Sequence, residues 1–157
     1  MKLYHGTNTD FDRILLSKCR PNKDFGRGFY LTDIRHQAQE QAIRRTDFEG
    51  WGAPVVQEYE FDEHSLVSSE MNVKIFDAVS REWAEFIIQN RKARGRSRHD
   101  YDIVVGPVAD DGVVFQINLY MQRLIDIDTL VKELTYRQLN RQYFFGTERA
   151  IKLLRRL

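Results

Sequence analysis

Three short segments combine glycine with histidine or tyrosine where the backbone is expected to turn. In the first, Tyr4-His5-Gly6-Thr7, a histidine leaves a strand and is followed by a residue without a Cβ, so a ligand can approach the main chain closely. Gly6 can then offer its N–H and C=O to a planar amide; the competing reading is an ordinary surface turn. The second segment runs from Asp24 to Thr32, with Gly26 and Gly28 around Arg27 and then Phe29-Tyr30-Leu31. Phe29 and Tyr30 must face opposite sides of a strand, so only one is core, and the polar-tipped Tyr30 is the candidate for a cleft wall. The third is Asn140-Arg141-Gln142-Tyr143-Phe144-Phe145, which also reads as a buried sheet edge. Asp24-Phe25-Gly26 does not make a kinase, because the chain is too short for two lobes and no glycine-rich loop precedes the motif. No Gly-Lys-Ser/Thr follows the glycines, which excludes a phosphate loop of the Walker type.

Other reactive residues have plainer readings. Cys19 is the sole cysteine, so neither an internal disulfide nor a cysteine-rich zinc site can form. It reads as a small buried thiol, with a reactive nucleophile as the alternative. Asp110-Asp111 follows Gly106-Pro107 but has no further ligands in view, and His36, His64 and His99 lack metal-ligand spacing. No metal is expected. Arg91-Lys92-Ala93-Arg94-Gly95-Arg96-Ser97-Arg98 holds five cations in eight residues, which reads as a solvated loop or as a phosphate contact to a nucleotide or nucleic acid.

These segments need positioning elements. The pattern predicts strands at Met1–Tyr4, Phe29–Thr32, Val55–Phe61, Tyr101–Val108 and Gln142–Phe145. Helices are expected near Ile34–Arg45 behind a Thr32-Asp33 cap, and at Ser80–Arg91, where Trp83, Phe86, Ile87 and Asn90 share a face and Ser80 caps. Another begins at Asp126 or Asp128 and runs to about Leu134, and a last one follows Thr147. Val113–Arg123 is ambiguous and leans to helix. Without a regular βαβ rhythm, the class is α+β with a mixed or antiparallel sheet.

The chain has 157 residues, 42% hydrophobic and 12% aromatic, which suits one globular domain over 1–157. Its 24 Lys+Arg against 23 Asp+Glu leave a net charge of +1, excluding a partner found by bulk charge. There is no secretory h-region and no apolar run of membrane-spanning length, so a cytoplasmic protein is expected.

The order of the three segments resembles the His-Tyr-Glu class of ADP-ribosyltransferases, which includes diphtheria-toxin-like enzymes and poly(ADP-ribose) polymerases. The chain is more similar still to a bacterial domain family of undefined function placed among them. Tyr4–Thr7, Asp24–Thr32, Tyr59–Asp62, Trp83 with Phe86, Asn90 and Arg91, and Tyr101–Asp111 carry that likeness across nearly the whole chain.

The resemblance implies a split-sheet α+β core with flanking helices and NAD as substrate. His5 would hydrogen-bond an NAD ribose as a neutral donor, the Gly6 backbone would clamp the nicotinamide carboxamide, and Tyr30 would stack on the nicotinamide ring. Thr7 and Gly28 join the NAD-binding set. Gln142 stands where the class usually has glutamate, and an amide cannot carry negative charge or act as a general base. Either the acceptor is already anionic, or another carboxylate serves, with Glu148, Asp110 and Asp111 as candidates. The reading is mono-ADP-ribosylation of a protein or nucleic acid, in a toxin-like domain restrained by a neutralising protein. The alternatives are a catalytically inactive NAD or ADP-ribose binding module, and an RNA-directed protein using residues 91–98.

Overall fold

The computed structural model describes residues 1–94, 98–135 and 140–157. Seven strands form one mixed sheet: β1 (Lys2–Thr7), β2 (Phe29–Thr32), β3 (Val55–Glu60), β4 (Val73–Ile75), β5 (Ile103–Pro107), β6 (Arg141–Phe145) and β7 (Arg155–Arg156). Their order is β4-β5-β6-β2-β1-β3-β7, with β4 and β5 parallel and every other neighbour antiparallel. The helices are α1 (Arg35–Glu49), α2 (Arg81–Arg91), α3 (Asp111–Met121), α4 (Ile127–Thr135) and α5 (Glu148–Ile151). The class is α+β, with helices flanking a mixed sheet.

Side-chain alternation divides the sheet into two cores. Leu3, Phe29, Leu31, Tyr59, Ile103, Val105, Tyr143 and Phe145 build one, closed by the segment around Phe11, Ile14, Leu16 and Cys19 and by Leu153 and Leu154. Val104 and Phe144 face the other way, onto Trp83, Ala84, Ile87 and Ile88 of α2, Val113 and Ile117 of α3, and Leu130 and Leu134 of α4. Asp102 anchors the loop before β5. Burial alone would raise its pKa, but the Arg149 fork, the Thr147 hydroxyl and the Asn72 N–H hold the carboxyl below its ordinary range.

Local signals placed most helix starts. Ser80 Oγ accepts from Trp83 N, Asp110 Oδ1 from Val113 N, Asp126 Oδ1 from Thr129 N, and Thr147 Oγ1 from Ala150 N. The ambiguous stretch beginning at Val113 is helical through Met121, led by that Asp110 cap.

Three expectations need correction, and two strands were not expected. β1 continues through Thr7, so His5, Gly6 and Thr7 lie in a strand paired with β3 and not in a turn. α1 starts behind Ile34, which offers no side-chain cap; Thr32 Oγ1 instead accepts from Ile34 N and donates to Gln37 Oε1. α1 also runs on to Glu49, where Gly50 adopts the left-handed conformation (φ 72°) that ends it. The short strands β4 and β7 have too few residues to show a period in the sequence.

Candidate functional site

The inner strands of the sheet part company early. β1 and β2 share the single register pair Tyr4/Thr32, while β1 stays on β3 as far as Thr7/Val55 and β2 stays on β6 from Phe29/Phe145 to Thr32/Gln142. The sheet therefore opens between His5–Thr7 on one strand and Phe29–Leu31 on the other. Three neighbouring strands, β6, β2 and β1, bring Gln142, Tyr30 and His5 to this opening. Pleat alternation places Gly6, Tyr30 and Gln142 on one face and His5 and Thr7 on the other, so the residues gathered by sequence straddle the split.

His5 ties the two diverging strands together. Its Nδ1 lies 2.8 Å from the Tyr30 carbonyl oxygen. A carbonyl only accepts, so Nδ1 carries the hydrogen and donates. Burial lowers the His5 pKa from 6.5 to about 4 against the opposing Tyr30 bond, with the charges of Arg45 and Lys23 adding to the decrease. The Phe29 ring, 4.3 Å away between centroids, supplies part of that apolar wall. The ring is thus neutral, and Nε2 has no partner among the described residues. What His5 offers a ligand is an acceptor, where the sequence led us to expect a donor.

Tyr30 is held by the loop that precedes it. Gly26 has φ 92°, and this turn brings the chain back so that Phe25 N donates to the Tyr30 hydroxyl at 3.0 Å while the hydroxyl donates to Gly26 O at 2.8 Å. His99 secures the same loop: its Nε2 donates to Phe25 O at 2.8 Å and its Nδ1 accepts from Tyr101 N. Burial lowers the His99 pKa and raises that of Tyr30 well above its usual value. The Tyr30 ring meets Phe144 edge-on, and Lys23 Nζ stands 5.0 Å from its centroid. Tyr30 is a rigid π-face with a cation already over it.

Gln142 has an orientation set by chemistry. Its Nε2 donates to Pro107 O at 3.2 Å and to Asp24 Oδ2 at 3.3 Å, and both of those atoms can only accept. Oε1 is left to accept from a ligand hydroxyl, as a carboxylate in this place would. The carboxylate nearest the amide is therefore Asp24, not Glu148, Asp110 or Asp111. Asp110 caps α3, Asp111 lies in its first turn, and exposed Glu148 lies in the first turn of α5. The buried Asp24 receives Arg91 Nε at 2.8 Å and its terminal nitrogen at 2.6 Å, both on Oδ1. Sequence reasoning missed Asp24 because its partners lie 67 and 118 positions away. The Asn90-Arg91 pair was the available signal, had it been read as a clamp instead of the start of a basic loop.

The glycines and Thr7 have packing reasons for their identity. A Cβ on Gly6 would lie 2.0 Å from Ala38 O and 2.8 Å from Ala42 N, so the glycine lets α1 sit directly on β1. At Gly28 a Cβ would meet the Phe144 ring at 2.2 Å. Thr7 is buried, and its hydroxyl accepts from Thr9 N. Of the basic loop, residues 95–97 lie outside those described. Among the described residues no group of His, Cys, Asp or Glu could hold a metal ion.

Residues 1–156 match the family described as "Protein of unknown function (DUF3990)". The chain belongs to this family. No curated protein and no solved structure matches it. In this DUF3990 chain, then, the split sheet, the Tyr30 platform and the Gln142–Asp24–Arg91 relay are the observations on which a function must rest. No helix among the described residues is long and apolar enough to cross a membrane.

Proposed function

We propose that this chain binds NAD at the β1/β2 split and transfers ADP-ribose to a macromolecular acceptor, protein or nucleic acid, releasing nicotinamide. The observation that carries the reading is the pair of unpartnered acceptors, His5 Nε2 and Gln142 Oε1, on the two strands flanking the strand of Tyr30. Each has its N–H groups engaged by protein acceptors, so each is preset to receive a hydroxyl. Two such acceptors on the two sides of the split suit the two ribose diols of NAD, and the Tyr30 ring suits its flat nicotinamide.

In the transfer, the bond between nicotinamide nitrogen and ribose C1′ breaks with its electron pair passing to the ring nitrogen, which becomes neutral. Positive charge appears on the sugar, as in glycoside cleavage. The acceptor then donates an electron pair to C1′. Tyr30 orients the ring and Gln142 the ribose hydroxyl. Asp24, one hydrogen bond behind Gln142, lends negative potential that Arg91 partly cancels. Stabilisation is weaker than a direct carboxylate would supply. This favours an acceptor that is itself anionic, a carboxylate or phosphate, and a single transfer over chain elongation. By the same resemblance the protein acts in the cytoplasm as a toxin-like domain held by a neutralising protein.

The second reading is an inactive NAD or ADP-ribose binding module, favoured by the neutral amide at Gln142 and by the pairing of Asp24 with Arg91. Labelled NAD incubated with host lysate, together with calorimetry and an assay of nicotinamide release, separates them. Wild type labels an acceptor, and His5→Ala, Tyr30→Ala and Gln142→Ala, checked for folding, each fall at least about ten-fold. Binding without release selects the inactive module. Equal labelling by all four proteins removes the site.

A further inference from the structure

Around the mouth of the split the cations outnumber their counter-ions. α1 turns Ala38 and Ala42 onto β1, and Arg45, three residues beyond Ala42, continues the same stripe. Arg45 is half-buried, and its Nε is shut off from solvent with no hydrogen-bond partner. Its guanidinium has no ion pair among the described residues. Lys23 lies over Tyr30 and has none either. Arg27, between its glycines, is likewise without one. Lys23 stands over Tyr30 on the β2 side of the split, Arg27 lies two residues before that strand, and Arg45 lies on the α1 stripe packed against β1, so the three cations flank the split. Their charges also act on the Cys19 thiol. The other nearby charges are committed: Arg20 pairs with Glu49, and Asp24 with Arg91.

A buried guanidinium donor without a partner, beside like charges, is costly unless an anion completes it. We propose that Lys23, Arg27 and Arg45 form a binding site for a diphosphate at the mouth of the β1/β2 split. Three cations of +1 suit a multiply charged phosphoanhydride better than a single carboxylate. The Arg45 fork presents several donors to the phosphate oxygens. Where the transferase reading holds, this is the pyrophosphate of NAD, with the nicotinamide reaching Tyr30. The assignment moves the phosphate contact away from residues 91–98, whose Arg91 is occupied by Asp24. It rests on that reading only for the identity of the ligand.

The test uses the full chain with inorganic pyrophosphate, inorganic phosphate and ADP-ribose as probes, in calorimetry at fixed ionic strength. Pyrophosphate and ADP-ribose bind wild type at least about ten-fold more tightly than phosphate. Arg45→Gln and Lys23→Gln each weaken that binding at least about ten-fold, Arg45→Lys less, and the control Arg44→Gln leaves it unchanged. A measurement on unmutated protein guards against misfolded variants. Cys19 is the sole cysteine, and its alkylation slows when pyrophosphate neutralises the surrounding cations. Pyrophosphate binding no tighter than phosphate, no change in Cys19 alkylation, or full affinity in folded Arg45→Gln overturns the site. Pyrophosphate binding lost in Arg45→Gln, in a protein that releases no nicotinamide, leaves the anion site standing and removes the transferase. NAD turnover unchanged in folded Arg45→Gln does the reverse.

Discussion

Gln142 shows how much a single side chain depends on its neighbours. An exchange to glutamate would supply the residue usual in the transferase class that the sequence resembles, and under the proposed function should by residue type alone raise activity. Here it would also replace two donated hydrogen bonds by repulsion, because the new oxygens would face Pro107 O and the Asp24 carboxylate. We expect Gln142→Glu alone to lower stability by about 1–3 kcal/mol. Gln142→Glu with Asp24→Asn, which removes one of the two charges and leaves Arg91 for the other, recovers most of that loss and releases nicotinamide faster than wild type. Urea unfolding and a nicotinamide assay on all three proteins check this; a single mutant as stable as wild type refutes the relay. His5, Tyr30 and Gln142 could be named as candidates by type and order. Asp24 was not, because its role comes from Arg91 and Gln142, both remote in sequence.

At the level of elements, Gly6 carries the sharpest consequence. A glycine in a ligand-clamping position and a glycine under a helix look the same in sequence. The atoms that a Cβ would strike, Ala38 O and Ala42 N, are backbone, so no side-chain trimming relieves the clash. Gly6→Ala therefore displaces α1 from β1 and costs about 2–4 kcal/mol in urea unfolding without any ligand, and Ala38→Gly does not rescue it. A variant of wild-type stability that lost only NAD affinity would return Gly6 to a purely ligand-facing role. The helix starts at Ser80, Asp126 and Thr147 were readable because a cap is made within three residues, whereas the Asp110 cap came only with the structure. The end of β1 was not, because residues 5–7 are kept extended by β3, some fifty positions away.

Across the whole molecule the titrating histidines link the site to stability. The unfolded chain takes a proton on His5 as pH falls through 6.5, whereas the folded chain resists until about 4. The unfolded state binds more protons in that interval, so stability declines as pH drops from 6.5 towards 4, by at most about 3 kcal/mol. His99, also lowered by burial, acts in the same direction. Urea midpoints measured from pH 7.5 to 4.5 should show this decline, and His5→Gln should flatten it; an equal slope in that variant would remove His5 as the cause. The total charge of +1 gives no hint of the unpaired cations by the split, since the excess is local. By itself the sequence determined the α+β class, most of the elements and the candidate residues His5, Tyr30 and Gln142, because caps, pleat alternation and glycine turns act over a few positions. The tertiary structure alone decided that β1 and β2 part after one pair, that Asp24 stands behind Gln142, and that Lys23 and the unpartnered Arg45 lie on opposite sides of that split. Those depend on which distant strands and helices come together, and local periodicity does not encode that.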